Sequence, residues 1–145
     1  MENFEIRRLK VEDADAIAEI YAAITRRPVE PGFKRVVEGH AQNGEEACYV
    51  AEYQGKVVGF MISYILTAGF GEAKSAWIAT LGVDPNFMGQ GIGAAMARKI
   101  FDIYKAAGIE NVYTTVRWDS TALLSFFKTL GFDRSAFINL RKILK

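Results

Sequence analysis

Hydrophobic residues along the first third of the chain recur first at strand spacing and then at helix spacing. Residues 4–9 alternate between two faces, as a short strand does. Apolar side chains at positions 14, 17, 20, 21 and 24 follow the period of a helix, and acidic residues at 12, 13 and 15 favour its N-terminus. The next segment, 26–32, contains two prolines and predicts a loop, and residues 34–43 predict a second helix.

The middle of the chain predicts a hairpin of two strands, 47–53 and 57–67, around Gln54-Gly55-Lys56. The second of these strands is apolar on both faces, which is typical of a strand inside a sheet. A strand over 76–83 then leads through a glycine-rich turn into a helix with apolar residues at 92, 96, 100 and 103, which ends at Gly108.

The last part of the chain predicts a strand over 111–117, a helix over 120–130 and one or two strands within 132–144. The strand–helix–strand unit from 76 to 117 should be a parallel crossover, whereas the hairpin strands are antiparallel. We therefore expect residues 1–145 to form one domain of the mixed α/β (α+β) class. Its sheet should be mixed, largely antiparallel and of six or seven strands, with helices on both faces.

Composition narrows the functional classes. The chain has 145 residues, half of them apolar, and 18 basic against 17 acidic residues give a net charge of +1. No basic block is present, so we expect no nucleic-acid partner. The longest apolar run, 57–66, is too short to cross a bilayer, so we expect no membrane partner. The single cysteine, Cys48, suits a reducing cytoplasm, and the single histidine, His40, argues against a metal site.

The glycine turn is the most informative segment of the sequence. It runs Val83-Asp84-Pro85-Asn86-Phe87-Met88 and continues Gly89-Gln90-Gly91-Ile92-Gly93-Ala94. A strand, a glycine-rich turn and a helix N-terminus together form an anion site, because the first helical N–H groups have no intrahelical acceptor and the macrodipole is positive there. The sequence therefore predicts a phosphate site made of backbone.

Two other phosphate-binding motifs resemble this turn in part. A Walker-type loop does not fit, because no Gly-Lys-Ser or Gly-Lys-Thr follows. The dinucleotide fingerprint fits literally at Gly89, Gly91 and Ala94, but the turn comes after antiparallel hairpins and no acid closes the following strand. Nicotinamide or flavin binding therefore stays open as a less favoured alternative.

The same residues resemble the GNAT-type N-acetyltransferases, and the similarity covers almost the whole chain. Its central motif is similar to Val83-Asp84-Pro85 followed by the glycine turn, and its second motif is similar to the segment from Ser120 to Leu130-Gly131-Phe132. The resemblance implies acetyl-CoA as cosubstrate, held between two splayed parallel strands. It implies cofactor contacts at Leu81, Gly82, Val83, Met88, Gly89, Gln90, Gly91, Ile92, Gly93, Ala94, Ser120 and Phe127.

The family pattern is broken at three of these positions. Met88 stands where glutamine or arginine is usual, Phe127 where a tyrosine commonly protonates the departing thiolate, and Ser120 where asparagine is frequent. The acceptor amine must lose a proton before it attacks. The candidates to assist this step are Glu72 and Thr115, and the hydroxyl of Thr115 could hold a water. A catalytically weak or inactive module that binds or senses acyl-CoA is therefore an alternative.

The resemblance also implies the remaining partners. The acceptor would be a primary amine of a small molecule or a peptide, attacked directly in a ternary complex. Arg26, Arg27 and Glu30 lie in the loop where similar proteins often contact the acceptor. A homodimer is left open, because dimers are frequent among similar proteins.

Overall fold

The computed structural model describes residues 4–42, 47–66 and 74–145. The chain forms two compact units, one reaching to Thr114 and the other from Thr115 to Lys145. The first contains β1 (Phe4–Arg8), α1 (Ala14–Thr25), α2 (Phe33–Gln42), β2 (Ala47–Tyr53), β3 (Lys56–Leu66), β4 (Ser75–Val83), α3 (Ile92–Ala106) and β5 (Asn111–Thr114). The second contains α4 (Thr121–Thr129). Short 3₁₀ turns precede α1 (Val11–Asp13) and α3 (Pro85–Phe87).

The five strands form one sheet in the order β1-β2-β3-β4-β5. The first three pairings are antiparallel and the β4–β5 pairing is parallel. The predicted hairpin is confirmed, with Gln54 and Gly55 in its turn at φ 51° and 79°. Positive φ at both turn residues matches the twist of the flanking strands. The predicted parallel crossover through α3 is also confirmed.

The middle strand, β3, contacts helices on both faces of the sheet. Phe60 and Ile62 are buried in a core cluster with Ile17 of α1 and residues of α2. The next residue of the strand, Ser63, points to the other face, where its hydroxyl bonds the phenol of Tyr104 on α3. Since successive strand residues face opposite sides, this contact places α1 and α2 on one face and α3 on the other. The expected mixed α/β class with helices on both faces is confirmed.

α3 packs on the sheet through residues four apart. Ile92, Met96, Ile100 and Tyr104 are all buried, whereas Ile103, the last apolar position named in the predicted helix, is 41% exposed. Tyr104 occupies that last inward position because residues at i and i+4 share one face. Burial raises the pKa of Tyr104 to about 12, although its hydrogen bond with Ser63 opposes the shift.

β1 is tied to the start of α1 by an ion pair. Arg7 donates two hydrogen bonds to the Asp13 carboxylate, at 2.8 and 2.9 Å, and a third at 2.8 Å to Glu52. The Lys10 main-chain N–H also donates to Asp13, at 2.8 Å. Burial alone would raise the pKa of Asp13, but the hydrogen bonds from Arg7 and Lys10 outweigh it and lower this pKa below its ordinary value.

Two expectations about strands were wrong. The sheet has five strands instead of six or seven, because the described residues 132–145 form none. Phe137, Ile138 and Leu140 in this segment are 67–83% exposed. Alternating apolar residues favour a strand, but a strand also requires a neighbour that accepts its hydrogen bonds, and these residues have no ladder partner. β5 ends at Thr114 and not at Arg117, so Thr115 lies outside the strand.

None of the described helices has the length and apolar character needed to cross a membrane.

Candidate functional site

The sheet opens along one edge of β4. On one side β4 pairs with β3 as far as Val83, but on the other side its pairing with β5 stops at Ile78 opposite Thr114. Ala79 is an extra residue in β4, because Ile62 pairs with Thr80 while Ser63 pairs with Ile78. Such a bulge bends and twists its strand, which ends pairing locally. Within the described part of the first unit, residues 79–83 of β4 therefore have no strand beside them on the β5 side.

A side chain marks the point at which the two parallel strands part. The Thr114 hydroxyl donates a hydrogen bond to the Ile78 carbonyl oxygen, at 3.1 Å. These two residues also form the last register pair of the β4–β5 ladder. Thr114 thus holds the end of the ladder next to the bulge.

The turn after β4 satisfies its own amides only as far as Met88. The Asp84 N–H donates to Val58 O at 2.8 Å, and the Asp84 carboxylate accepts from the Asn86 N–H at 3.0 Å. The Phe87 N–H donates to Asp84 O, and the Met88 N–H donates to Pro85 O. These bonds fix the direction in which the chain leaves β4.

The next six residues leave their amides without acceptors. Gly89 and Gly91 have φ of 80° and 78°, and Gly91 caps α3 with no side-chain hydrogen bond. The first helical donor is the Ala95 N–H, which bonds Gly91 O at 3.0 Å. Within residues 4–42, 47–66 and 74–145, we find no acceptor for the N–H groups from Gly89 to Ala94. A Cβ added at Gly89 or Gly91 would meet no atom within 4 Å, so these positions face open space.

This arrangement fits an anionic group. Unpaired N–H groups at a helix N-terminus carry partial positive charge and donate to phosphate oxygens. The first turn of α3 carries no acidic side chain that would oppose an anion. The Met88 side chain is 53% exposed and supplies no donor, and the Ile92 side chain is buried, so both could contribute only through the main chain. The chemistry available here is therefore that of backbone amides.

α1 ends on the open segment of β4. A Cβ at Gly82 would lie 2.8 Å from Cδ1 of Ile24 and 2.8 Å from Cε1 of Phe60, so only glycine fits there without movement. A cavity of about 640 Å³ lies between the last turn of α1, the following loop and the start of α2. It is lined by Tyr21, Thr25, Arg27, Pro28, Glu30, Pro31, Gly32, Phe33 and Val36.

Three candidate site residues belong to the second unit. Ser120 is the N-cap residue of α4, and its carbonyl accepts from the Leu124 N–H at 3.0 Å. The Phe127 ring is buried and meets the ring of Phe132 edge-on, with centroids 5.0 Å apart. Thr115 is exposed and follows β5 without belonging to it. Glu72 lies outside the described residues.

The structure thus places Leu81, Gly82 and Val83 directly before the turn that leads to residues 88–94. Sequence reasoning missed Ala79 and Thr114. The bulge has no signal in a single sequence, because it is defined by pairing with β3. Thr114 could have been noticed as a hydroxyl near the end of a predicted parallel strand, but the predicted strand continued past it.

Comparison with known proteins gives consistent matches. Residues 14–132 match the family model of the GNAT acetyltransferases. An uncharacterized N-acetyltransferase of Methanocaldococcus jannaschii is 26% identical over 147 residues, which cover 95% of this chain and 64% of the relative. Two further curated relatives are covered over 34% and 44% of their length, so the chain spans less than two thirds of these proteins.

Solved structures share the fold. An aminoglycoside acetyltransferase from an uncultured soil metagenomic sample, in complex with sisomicin, has a TM-score of 0.82 at 22% identity, with 98% of this chain and 97% of that chain covered. A possible acetyltransferase from Clostridium difficile 630 has a TM-score of 0.86 at 17% identity, with 99% of both chains covered.

Proposed function

Because this chain belongs to the GNAT acetyltransferase family, we propose that it transfers acetyl from acetyl-CoA to a primary amine of a small molecule or a peptide. The amine attacks the thioester directly in a ternary complex. The observation that carries this proposal is the row of unpaired amides from Gly89 to Ala94, directly after the open edge of β4. Residues 1–145 act in this proposal as one acetyltransferase domain.

The donor would be bound almost entirely by main-chain groups. Leu81, Gly82 and Val83 present N–H and C=O groups along the open edge, where the pantetheine arm can bond as an added strand does. The amides from Gly89 onward would hold the pyrophosphate. Met88 does not weaken this proposal, because the contacts need no side-chain donor. Ser120 and Phe127 stay predictions as cofactor contacts of the second unit.

The chemistry then requires two proton transfers. An alkylamine has a pKa of ~10.4, so the acceptor arrives protonated and must lose a proton before it attacks. Thr115 or Glu72 would pass that proton to water. The hydroxyl of Thr115 is a poor base by itself, so it would act through a water that it holds. The new C–N bond forms as the C–S bond breaks, the attacking nitrogen loses a second proton to water, and the thiolate departs. Because a thiol pKa is ~8.5, the thiolate can leave without protonation by a phenol, the group that is missing at Phe127.

The test compares two substitutions at one position. Gly91→Glu and Gly91→Gln add side chains of equal length into open space and carry the same strain of positive φ, so they differ only in charge. A carboxylate ~5 Å from a diphosphate charge adds ~3 kcal/mol of repulsion at an effective dielectric of ~20, or ~100-fold in affinity. We expect calorimetry with coenzyme A to show this loss for Gly91→Glu, with a much smaller loss for Gly91→Gln.

Turnover distinguishes the proposed enzyme from its alternative. Free-thiol release from acetyl-CoA is measured with a panel of amines, peptides and aminoglycosides. Release with at least one amine supports the transferase. Tight coenzyme A binding with no release on any amine would favour the acyl-CoA sensing module, for which the missing phenol at Phe127 is the specific argument. Equal affinity of the two Gly91 variants for coenzyme A would refute the assignment of the phosphate site itself.

A further inference from the structure

The tip of the β2–β3 hairpin packs against the turn that precedes the unpaired amides. Tyr53 and Lys56 are the last paired residues of the two strands, on either side of the hairpin turn. The Tyr53 ring meets the Phe87 ring edge-on, with centroids 5.9 Å apart and an angle of 64° between their planes. The Lys56 ammonium lies 5.9 Å from the centroid of the same ring. The side chain of Phe87 therefore attaches the end of the turn to the hairpin.

Asp84 attaches the start of the same turn. Its N–H donates to Val58 O of β3 at 2.8 Å, and its carboxylate accepts from the Asn86 N–H at 3.0 Å. The Lys56 ammonium lies 3.7 Å from this carboxylate. The Asp84 side chain is 13% exposed, whereas that of Lys56 is 64% exposed. The turn is thus held at its first residue by Asp84 and at its last residue by Phe87.

These contacts differ in strength. The ion pair with Lys56 is long and its ammonium is exposed, so water screens it and it contributes little. An ammonium 5.9 Å from a ring centroid is also at the limit of a cation–π contact. The hydrogen bond from the Asn86 N–H to Asp84 is the contact of a helix cap, which is stronger. This bond and the ring contact between Phe87 and Tyr53 therefore carry most of the attachment through side chains.

The attachment acts on the amides that follow the turn. Residues 89–94 include three glycines, which give a chain many conformations unless its ends are held. One end is held by α3, whose first helical donor is the Ala95 N–H. The other end is held by Asp84 and Phe87. A ligand that bonds amides held in this way orders fewer residues when it binds, so its affinity is higher.

We infer that Asp84 and Phe87 are positioning residues of the phosphate site. They hold the amides from Gly89 to Ala94 in the direction that a diphosphate needs, and they act through the backbone without binding the donor themselves. The inference rests on the proposed function and deepens it, because it assigns part of the affinity for the nucleotide portion of the donor to residues before the glycines. Loss of either side chain should then affect that portion of the donor alone.

Two acetyl donors separate positioning from a general loosening of the fold. Acetyl-CoA and S-acetylpantetheine carry the same thioester and the same arm, but only acetyl-CoA carries the diphosphate. We expect Phe87→Ala to raise the KM for acetyl-CoA about tenfold at constant kcat, and to leave kcat/KM for S-acetylpantetheine unchanged. A residue that only stabilised the fold would change the kinetics with both donors or with neither.

Conservative variants should restore the site. Phe87→Tyr keeps the ring that Tyr53 contacts, so its KM for acetyl-CoA should stay close to that of the wild type. Asp84→Ala removes the acceptor of the Asn86 N–H and should raise this KM several-fold, as the loss of a cap does. Asp84→Asn keeps an oxygen that accepts this bond and should recover most of the loss. Asp84→Ala also carries the test if Phe87→Ala does not fold.

Phe101→Ala is the matched control. Phe101 is also a half-buried aromatic residue, and it lies on α3 about two turns beyond Ala94, with its ring centroid 6.1 Å from that of Tyr104. Its loss should leave the KM for acetyl-CoA unchanged, whatever it does to stability. Urea unfolding of every variant shows that each one is folded under the conditions of the assay.

Calorimetry with coenzyme A measures the same effect without turnover. Binding that is about tenfold weaker in Phe87→Ala and unchanged in Phe101→Ala supports the inference. Unchanged affinity in Phe87→Ala, an equal loss in both variants, or an equal loss with both acetyl donors would overturn it. If coenzyme A binds the variants as expected but no amine is acetylated, the proposed transfer fails and the positioning role survives. A wild-type protein that binds no coenzyme A would refute both.

Discussion

Gly82 is the position where one added methyl group should report on the packing between α1 and the open edge of β4. Its backbone φ lies outside the left-handed region, so Gly82→Ala introduces no backbone strain. The new Cβ would lie 2.8 Å from Cδ1 of Ile24 and 2.8 and 3.0 Å from two ring carbons of Phe60. All three distances are well below the ~3.5–4.0 Å of a favourable carbon–carbon contact.

The two neighbours differ in their ability to move. Ile24 is 37% exposed, and its Cδ1 is the far end of a flexible side chain, so it can rotate away at little cost. Phe60 is 1% exposed and surrounded by the core, so its ring has no space to enter. Overpacking of this kind costs about 1–3 kcal/mol, and replacing glycine by alanine returns about 0.4–1 kcal/mol through the unfolded chain. The expected net loss is about 1–2 kcal/mol.

The measurement is urea unfolding followed by circular dichroism, with Gly39→Ala as the control. Gly39 lies in α2 and is exposed, and a Cβ added there would meet no atom within 4 Å, so its change to alanine should stabilise the protein by about 0.5–1 kcal/mol. Adding Phe60→Leu to Gly82→Ala should make the methyl group less harmful than in the wild-type background. A Gly82→Ala variant as stable as Gly39→Ala would refute the close contact at β4.

Three further changes test separate parts of the molecule. Asp13→Asn should lower the free energy of unfolding by about 2–3 kcal/mol at pH 7, because the Arg7 guanidinium then keeps only Glu52 as a charged partner. Since the folded pKa of Asp13 is lowered, its contribution is present above the unfolded value of 3.8 and is lost as the pH falls through the folded pKa; acid titration of stability should therefore be flatter in Asp13→Asn. Thr114→Val removes the bond to Ile78 O and should raise the KM for acetyl-CoA several-fold at constant kcat; a change in kcat alone would argue against positioning. Phe127→Tyr should leave coenzyme A affinity unchanged and raise kcat, and an unchanged kcat would argue against an acid at this position.

The features that sequence predicted well are those fixed by neighbouring residues. The hairpin at Gln54-Gly55 depends on a two-residue turn, and the start of α3 depends on glycines that adopt positive φ. The parallel crossover follows from the handedness and length of a strand–helix–strand unit. In each case the physical cause lies within a few residues or one connection, so a single sequence contains it.

The features that sequence did not predict depend on pairing between distant segments. The bulge at Ala79 exists only relative to the register of β3, and the early end of β5 follows from the bend that the bulge introduces. The alternating residues 136–144 have the composition of a strand, yet composition supplies no partner edge. The cavity between α1 and α2 is likewise a product of packing, although Arg27 and Glu30 could be noticed in the loop.

The open edge and the unpaired amides have a common consequence for how the site tolerates change. Both are main-chain features, set by the Ala79 bulge, by the Thr114 bond at the end of the ladder and by glycine conformations in the turn. Met88 stands where the family motif usually has a glutamine or arginine, so this chain lacks a side-chain donor there. All of these main-chain groups are nevertheless in place. Donor binding should therefore be more sensitive to changes that move the backbone of β4, such as Gly82→Ala, than to the loss of the one polar side chain in residues 88–94, that of Gln90.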